Sequence, residues 1–163
     1  GYTASQVTLL FLINYAFNYL FAEKIGRLIG KFGERKTLTF EYIGLIFVFV
    51  AYGLVENATL AAFLYVLDHM FFALAIGIKT YFQKIADPKD MASNAGVSFT
   101  INHIAAVIVP VLLGMVWMWS HSLVFFVGAT FALLSLIASR LIPENPHPEN
   151  ETRISYPSVT INS

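Results

Sequence analysis

Six polar side chains that can bind solutes or protons lie inside long apolar stretches of this sequence. They are Asn14, Asn18, Asp68, His69, Asn102 and His103. Asn14 and Asn18 are spaced by one helical turn and so share a helix face. An aspartate next to a histidine suits proton exchange, because the imidazole titrates near neutral pH. These residue types predict a pathway for a small solute, a proton or both.

The stretches that contain these residues are long enough to cross a membrane. Of the 163 residues, 57% are hydrophobic and only 12% are charged, which is too little polar surface for a soluble domain. A bilayer core of about 30 Å needs about 20 mostly apolar residues per helix. Residues 7–25, 38–55, 60–85, 95–119 and 122–142 meet this requirement. We therefore predict an all-α, polytopic transmembrane bundle of five spans over residues 1–142.

Composition also excludes several classes of function. The formal net charge is zero, so a nucleic-acid partner has no electrostatic support. The sequence has no cysteine and therefore neither a disulfide nor a thiolate metal site. It has no GxxxxGK[ST] loop, so a pump driven by its own ATP hydrolysis is not indicated. We predict that the chain is not an enzyme and uses no cofactor.

The basic residues predict the orientation of the spans. All ten Lys and Arg residues flank the first and third breaks between spans or follow the last span. The positive-inside rule makes that side cytoplasmic, so the N-terminus is outside and the C-terminus inside a plasma or inner membrane. Five spans with an outside start are expected of a piece of a larger protein. Residues 143–163 are rich in Pro, Glu and Asn, which predicts a disordered cytoplasmic tail.

The first break has the sequence GRLIGKFGERKTL, residues 26–38. Its glycines allow two helix ends to approach closely and turn sharply, and its basic residues hold it at the cytoplasmic face. Spacing alone leaves a plain topology-anchoring loop as an equal alternative.

The order of residues in this loop resembles the signature of the major facilitator superfamily of secondary transporters. The matching residues are Gly26, Leu28, Lys31, Gly33, Arg35 and Lys36. Gly30 stands where that signature usually has an acid, and Glu34 where it often has a base. In this family a copy follows the second helix of each six-helix half, and the second copy is commonly degraded. The resemblance implies helices eight to twelve, with helices two to six as the alternative, and a partner in the missing N-terminal half.

The distribution of polar residues separates the spans into two groups. The first, third and fourth spans contain strongly polar side chains, whereas the second has only Glu41 near one end and the fifth has only hydroxyls. Because buried ionisable groups are costly in a bilayer, we expect the three polar spans to face one another or water and the other two to face lipid. Asp68 lies about 12 Å deep, so it is protonated or meets His69, His103 or another helix. Lys79 falls on nearly the same helix face and is close enough to the end of its span to snorkel.

The fourth span has the composition of a bent helix. His103, Pro110 and Gly114 fall on one face, next to Asn102. Pro110 removes one helix hydrogen bond and permits a bend, while Gly114 permits close packing.

The leading hypothesis is half of a secondary active transporter that moves a small solute through the lipid bilayer by alternating access, with proton or ion coupling. One alternative is a non-transporting membrane subunit, in which these polar groups only hold helices together. A less favoured alternative is an intramembrane metalloenzyme with Asp68, His69 and His103 as ligands, although no HExxH motif is present. Sugars, organic acids, amino acids and drugs all fit the polar residues equally well.

Overall fold

Helices account for most of the computed structural model, which describes residues 2–154. They are α1 (Ala4–Phe32), α2 (Glu34–Leu54), α3 (Ala58–Phe72), α4 (Ile76–Ile85), α5 (Met91–Trp117) and α6 (His121–Ser139), with a 3-10 segment at Ala73–Ala75. The predicted all-α class is confirmed. Four helical segments are long and apolar enough to cross a membrane: Glu34–Leu54, Ala58–Ile85, Met91–Trp117 and His121–Ser139. The remaining helix, α1, has ample length at 29 residues, but asparagines and charged side chains interrupt its apolar sequence.

The first break is much shorter than the predicted loop. Helix α1 continues to Phe32 and α2 begins at Glu34, so Gly33 alone joins them. Gly33 has φ 81° and ψ 159°, a conformation that is essentially restricted to glycine. Gly26 and Gly30 are instead helical, and a Cβ at either position would meet nothing within 4 Å. The sharp turn therefore depends on Gly33, whereas Gly26 makes no close helix approach in this part of the chain.

Helix α2 is the central element of the described bundle. Its apolar segment is 33% buried, compared with none of the α5 segment. It packs against α6, where a Cβ at Gly53 would come within 2.9 Å of the Phe126 ring, and against α3, where a Cβ at Gly44 would overlap Phe71. This differs from the expectation of a lipid-facing second span, because small residues bring its neighbours close on two sides.

The third predicted span is interrupted near its middle. Asn57 caps its start by accepting hydrogen bonds from the N–H groups of Thr59 (2.8 Å) and Leu60 (3.2 Å). The α-helical turns then tighten into the 3-10 segment before α4 begins. A 3-10 stretch inside a helix often marks a hinge or a strained sequence.

The residues after α6 also differ from the prediction of a disordered tail. Residues 143–154 form turns that fold back on the bundle, and Pro143 and Pro146 are buried. The N–H of Arg153 donates to the Leu141 carbonyl at 2.8 Å, and the Tyr81 hydroxyl donates to the Glu151 carbonyl. The rest of the predicted tail, residues 155–163, lies outside the described residues.

Candidate functional site

Buried polar groups lie where α1 meets α3. Asn14 is only 4% exposed, and in the part of the chain that the structure describes neither its Nδ2 nor its Oδ1 has a hydrogen-bond partner. The hydroxyl of Tyr65 on α3 is likewise buried without a partner. Asn18, which the sequence places on the same face, is exposed and donates to the Asn14 backbone carbonyl at 3.0 Å. Only Asn14 of the two asparagines is therefore buried in the interface.

Asp68 and His69 form a close pair on α3. The Nδ1 of His69 lies 3.6 Å from Oδ2 of Asp68 and 3.1 Å from the Tyr65 carbonyl oxygen. The shorter distance is a hydrogen bond to the backbone, and the longer one is an electrostatic contact. The imidazole also packs on the Tyr65 ring, with centroids 4.4 Å apart. Both side chains are partly buried, so their charges interact more strongly than on an open surface.

An aromatic contact places these groups at similar depth. The rings of Phe11 and Tyr65 meet edge to face with centroids 5.9 Å apart. Asn14 follows Phe11 by three residues and Asp68 follows Tyr65 by three residues, on helices that run in the same direction. Both polar side chains therefore lie about one turn beyond the same contact. We call Asn14, Tyr65, Asp68 and His69 the α1–α3 polar cluster.

Tyr65 is the member of this cluster that the sequence analysis missed. Its position three residues before Asp68 and four before His69 would have placed it on their face of the helix. Its phenol gives the site a hydrogen-bond donor and acceptor.

The structure does not bring the fourth-span residues to this cluster. Asn102 and His103 are exposed on α5, which packs against α6 and has no buried residue. His103 is occupied locally, since its Nδ1 lies 3.0 Å from the Phe99 carbonyl oxygen. The helix continues through Pro110 to Trp117, and a Cβ at Gly114 would meet nothing within 4 Å. Within residues 2–154, the expected Asp68–His103 contact and the close packing at Gly114 are therefore not observed.

The metal-site alternative finds no matching geometry in the described chain. Across residues 2–154 there is no group of three or more His, Cys, Asp or Glu side chains arranged to hold a metal ion. Asp68 and His69 are together on α3, but His103 is on α5. The three proposed ligands do not converge.

Ion pairs join the α1–α2 turn to distant parts of the chain. Glu34 is 2% exposed and its Oε1 lies 2.7 Å from Nζ of Lys84, at the end of α4. Arg35 lies 3.7 Å from Glu144, beyond α6. The pairing of Glu34 with Lys84 could not be predicted from the sequence, because it depends on tertiary packing.

A cavity of about 540 Å³ opens at this end of the bundle. Its lining includes Lys31, Gly33, Arg35 and Lys36 from the loop motif, and also Lys84, Arg140 and Glu144. Leu28 of the motif is 40% exposed, and Lys31 lies over the Phe32 ring at 5.4 Å. Five of the ten basic residues that were predicted to share one side of the membrane therefore line one cavity, and we call this end of the structure the charged end.

The family model described as Major Facilitator Superfamily matches residues 1–158. Searches of curated proteins and of solved structures find no significant match.

Proposed function

Because the chain belongs to the Major Facilitator Superfamily, we propose that it forms helices eight to twelve of a secondary active transporter for a small solute. Family membership and four apolar helices of spanning length make it an integral membrane protein. The remaining wall of the solute pathway would come from an N-terminal half, and no nucleic-acid partner is involved. The degraded loop signature, with Gly30 and Glu34 at two of its positions, favours the second half over the first.

The observation that carries this proposal is the α1–α3 polar cluster. A buried amide or hydroxyl without a hydrogen bond costs about 1–3 kcal/mol, so a purely structural interface would be expected to pair Asn14 and Tyr65. Within residues 2–154, both groups instead keep free hydrogen-bonding capacity, and the Tyr65 ring packs on the His69 imidazole. Such a set suits a solute or water that is bound in one state and released in another.

Coupling to protons is the role we assign to Asp68 and His69. The pair places a carboxylate oxygen 3.6 Å from an imidazole nitrogen, and each of these two groups can accept a proton. Asn102 and His103 on α5 would join the pathway from the uncovered face of that helix, where the N-terminal half would pack. Pro110 would permit the bend that alternating access requires.

The charged end supports a cytoplasmic location for the α1–α2 turn and for the residues after α6. Lys31 and Arg35 of the α1–α2 turn, Lys84 at the end of α4 and Arg140 after α6 come from three separate parts of the sequence but line one cavity. The positive-inside rule then places the C-terminus in the cytoplasm, in a plasma or inner membrane.

The test of this function uses Asp68→Asn in the complete transporter reconstituted in liposomes. Asn keeps the size and hydrogen bonding of Asp but cannot exchange a proton. We expect normal insertion, loss of uphill accumulation driven by a pH gradient, and retention of solute exchange by counterflow. Glu23→Gln is the matched control, because Glu23 is an exposed acid on α1 that pairs only with Arg27, one turn away.

If Asp68→Asn and Glu23→Gln both show normal uphill uptake, Asp68 has a structural role and does not couple transport to protons. Loss of folding in Asp68→Asn alone would show that its charge stabilises the bundle instead. Absence of any solute movement by the wild-type protein, across sugars, amino acids, organic acids and drugs, would favour the non-transporting subunit.

A further inference from the structure

Glu41 is a buried acid that the proposed pathway does not use. It lies on α2, is only 1% exposed, and ranks with Ile29, Leu38 and Val48 among the largest fully buried side chains. Its Oε2 has no hydrogen-bond partner among residues 2–154. The ion pairs within residues 2–154 involve other carboxylates, so no Lys, Arg or His nitrogen lies within 4 Å of this one.

Contacts on either side locate Glu41 against the 3-10 segment. On one side of it, Glu34 pairs with Lys84 and a Cβ at Gly77 would meet Leu38 at 3.4 Å. On the other side, Gly44 contacts Phe71. Since α2 and the third span are antiparallel, Glu41 falls opposite Ala73–Ala75, which contacts α2.

The ionisable groups on the elements around Glu41 either form ion pairs with other residues or form no ion pair with Glu41. Lys84 on α4 is held by Glu34, two turns from Glu41 along α2. On α3, Asp68 is paired with His69. Other ionisable groups on or next to the packed elements include Lys24 of α1, Lys79 and Tyr81 of α4, Arg140 after α6 and the neighbouring Tyr42. None of the basic groups forms an ion pair with Glu41 in the described chain.

An unpaired carboxylate in this position is costly. The penalty for burying one uncompensated ion is several kcal/mol, whereas a protonated carboxyl pays only the smaller cost of a buried polar group. The side chain therefore favours its neutral form while α2 and the 3-10 segment stay packed. If these elements separate and admit water, the water solvates the carboxylate, its charge is no longer strongly unfavourable, and the proton can leave.

We propose that Glu41 is a second proton-binding site of the transport cycle, separate from Asp68–His69. It binds one proton in the packed state described here and releases it when α2 parts from Ala73–Ala75. The reaction is the simple equilibrium of a carboxylate and a proton with a carboxylic acid, and it needs no other reactant. This proposal rests on the proposed transport function, but proton binding at Glu41 can be measured without a known solute.

The first experiment is infrared difference spectroscopy of the complete transporter, between mildly acidic and mildly alkaline pH. We expect a protonated carboxyl C=O band that titrates, disappears in Glu41→Gln and persists in Asp68→Asn. A titrating band that is unchanged in Glu41→Gln would overturn the proposal, as would the absence of any band that titrates. If Glu41→Gln does not fold, Glu41→Leu, which fills the same space without a polar group, replaces it in the same comparison.

The second experiment is pH-gradient-driven uptake in liposomes beside counterflow. Glu41→Gln should lose uphill accumulation and keep exchange. Normal accumulation in Glu41→Gln together with loss in Asp68→Asn would reject the Glu41 site and leave the proposed function intact. Failure of the wild-type protein to couple solute to protons would reject the proposed function, while the infrared titration would still report on Glu41.

Discussion

Gly44 offers the most direct test of the packing that makes α2 the central helix. A Cβ at this position would lie 2.3 Å from Cε1 of Phe71 and 2.5 Å from both Cδ1 and Cζ. The ring must therefore move, and its other face already meets Phe40, with centroids 5.6 Å apart. Overpacking of this kind destabilises a folded protein by about 1–3 kcal/mol. The higher helix propensity of Ala relative to Gly offsets about 1 kcal/mol of that loss.

We expect Gly44→Ala to lower the free energy of unfolding by roughly 1 kcal/mol in total. Gly128→Ala on α6 is the matched control, because its Cβ would meet Phe49 at an ordinary 3.5 Å. In Gly128→Ala the free energy of unfolding should rise by up to about 1 kcal/mol, so the free energies of unfolding of the two variants should differ by about 2 kcal/mol. The measurement is the thermal midpoint of the detergent-solubilised protein. The midpoint is obtained by heating samples to increasing temperatures and quantifying the folded protein that remains by size-exclusion chromatography.

The partner ring supplies a further check on this reasoning. Phe71→Leu removes the overlapping ring atoms, so the Gly44→Ala/Phe71→Leu double variant should be more stable than the sum of the single changes predicts. A Gly44→Ala protein as stable as Gly128→Ala, or a strictly additive double variant, would refute close contact between α2 and α3 at this point.

Two predictions concern the α1–α2 turn and the orientation of the spans. Gly33→Ala should lower the same thermal midpoint by the equivalent of about 1–3 kcal/mol, because alanine is strained at this backbone conformation; an unchanged midpoint would show that the turn adopts another conformation. Since the sequence contains no native cysteine, single cysteines at Asn57 and Ser120 should react with an impermeant reagent outside intact cells, and one at Asp87 should not. The reverse labelling pattern would contradict the proposed cytoplasmic C-terminus.

The sequence predicted the helical class because long apolar runs determine it locally. It left His69, His103 and another helix open as partners of Asp68, and the structure shows His69 beside it, since adjacent residues on a helix stay close. It did not predict the single-residue turn at Gly33, because glycines and charges were taken to mark a loop although helices tolerate both near a membrane surface. The junction is set by the one glycine with positive φ.

The packing of the helices against one another could not be predicted from the sequence, for a different reason. The Glu34–Lys84 pair, the burial of Glu41 and the central position of α2 all depend on which helices pack together. Counting polar residues assigned α2 to lipid, but small residues such as Gly44 bring neighbouring helices close regardless of polarity. The same counting placed His103 near Asp68, whereas α5 packs against α6.

The 3-10 segment changes the helical phase of the third span. An α-helix turns about 100° per residue and a 3-10 helix about 120°, so the three residues Ala73–Ala75 add about 60° of rotation. In one continuous α-helix, Asp68 and Lys79 would point within about 20° of each other, but with the added rotation they diverge by about 80°. A helical wheel drawn through the whole span as one α-helix therefore places Asp68 and Lys79 on the same face, although the two side chains lie on different faces. The span therefore has two separately oriented parts: α3 turns Tyr65 towards Phe11 of α1, while α4 turns Lys84 and Gly77 towards α2.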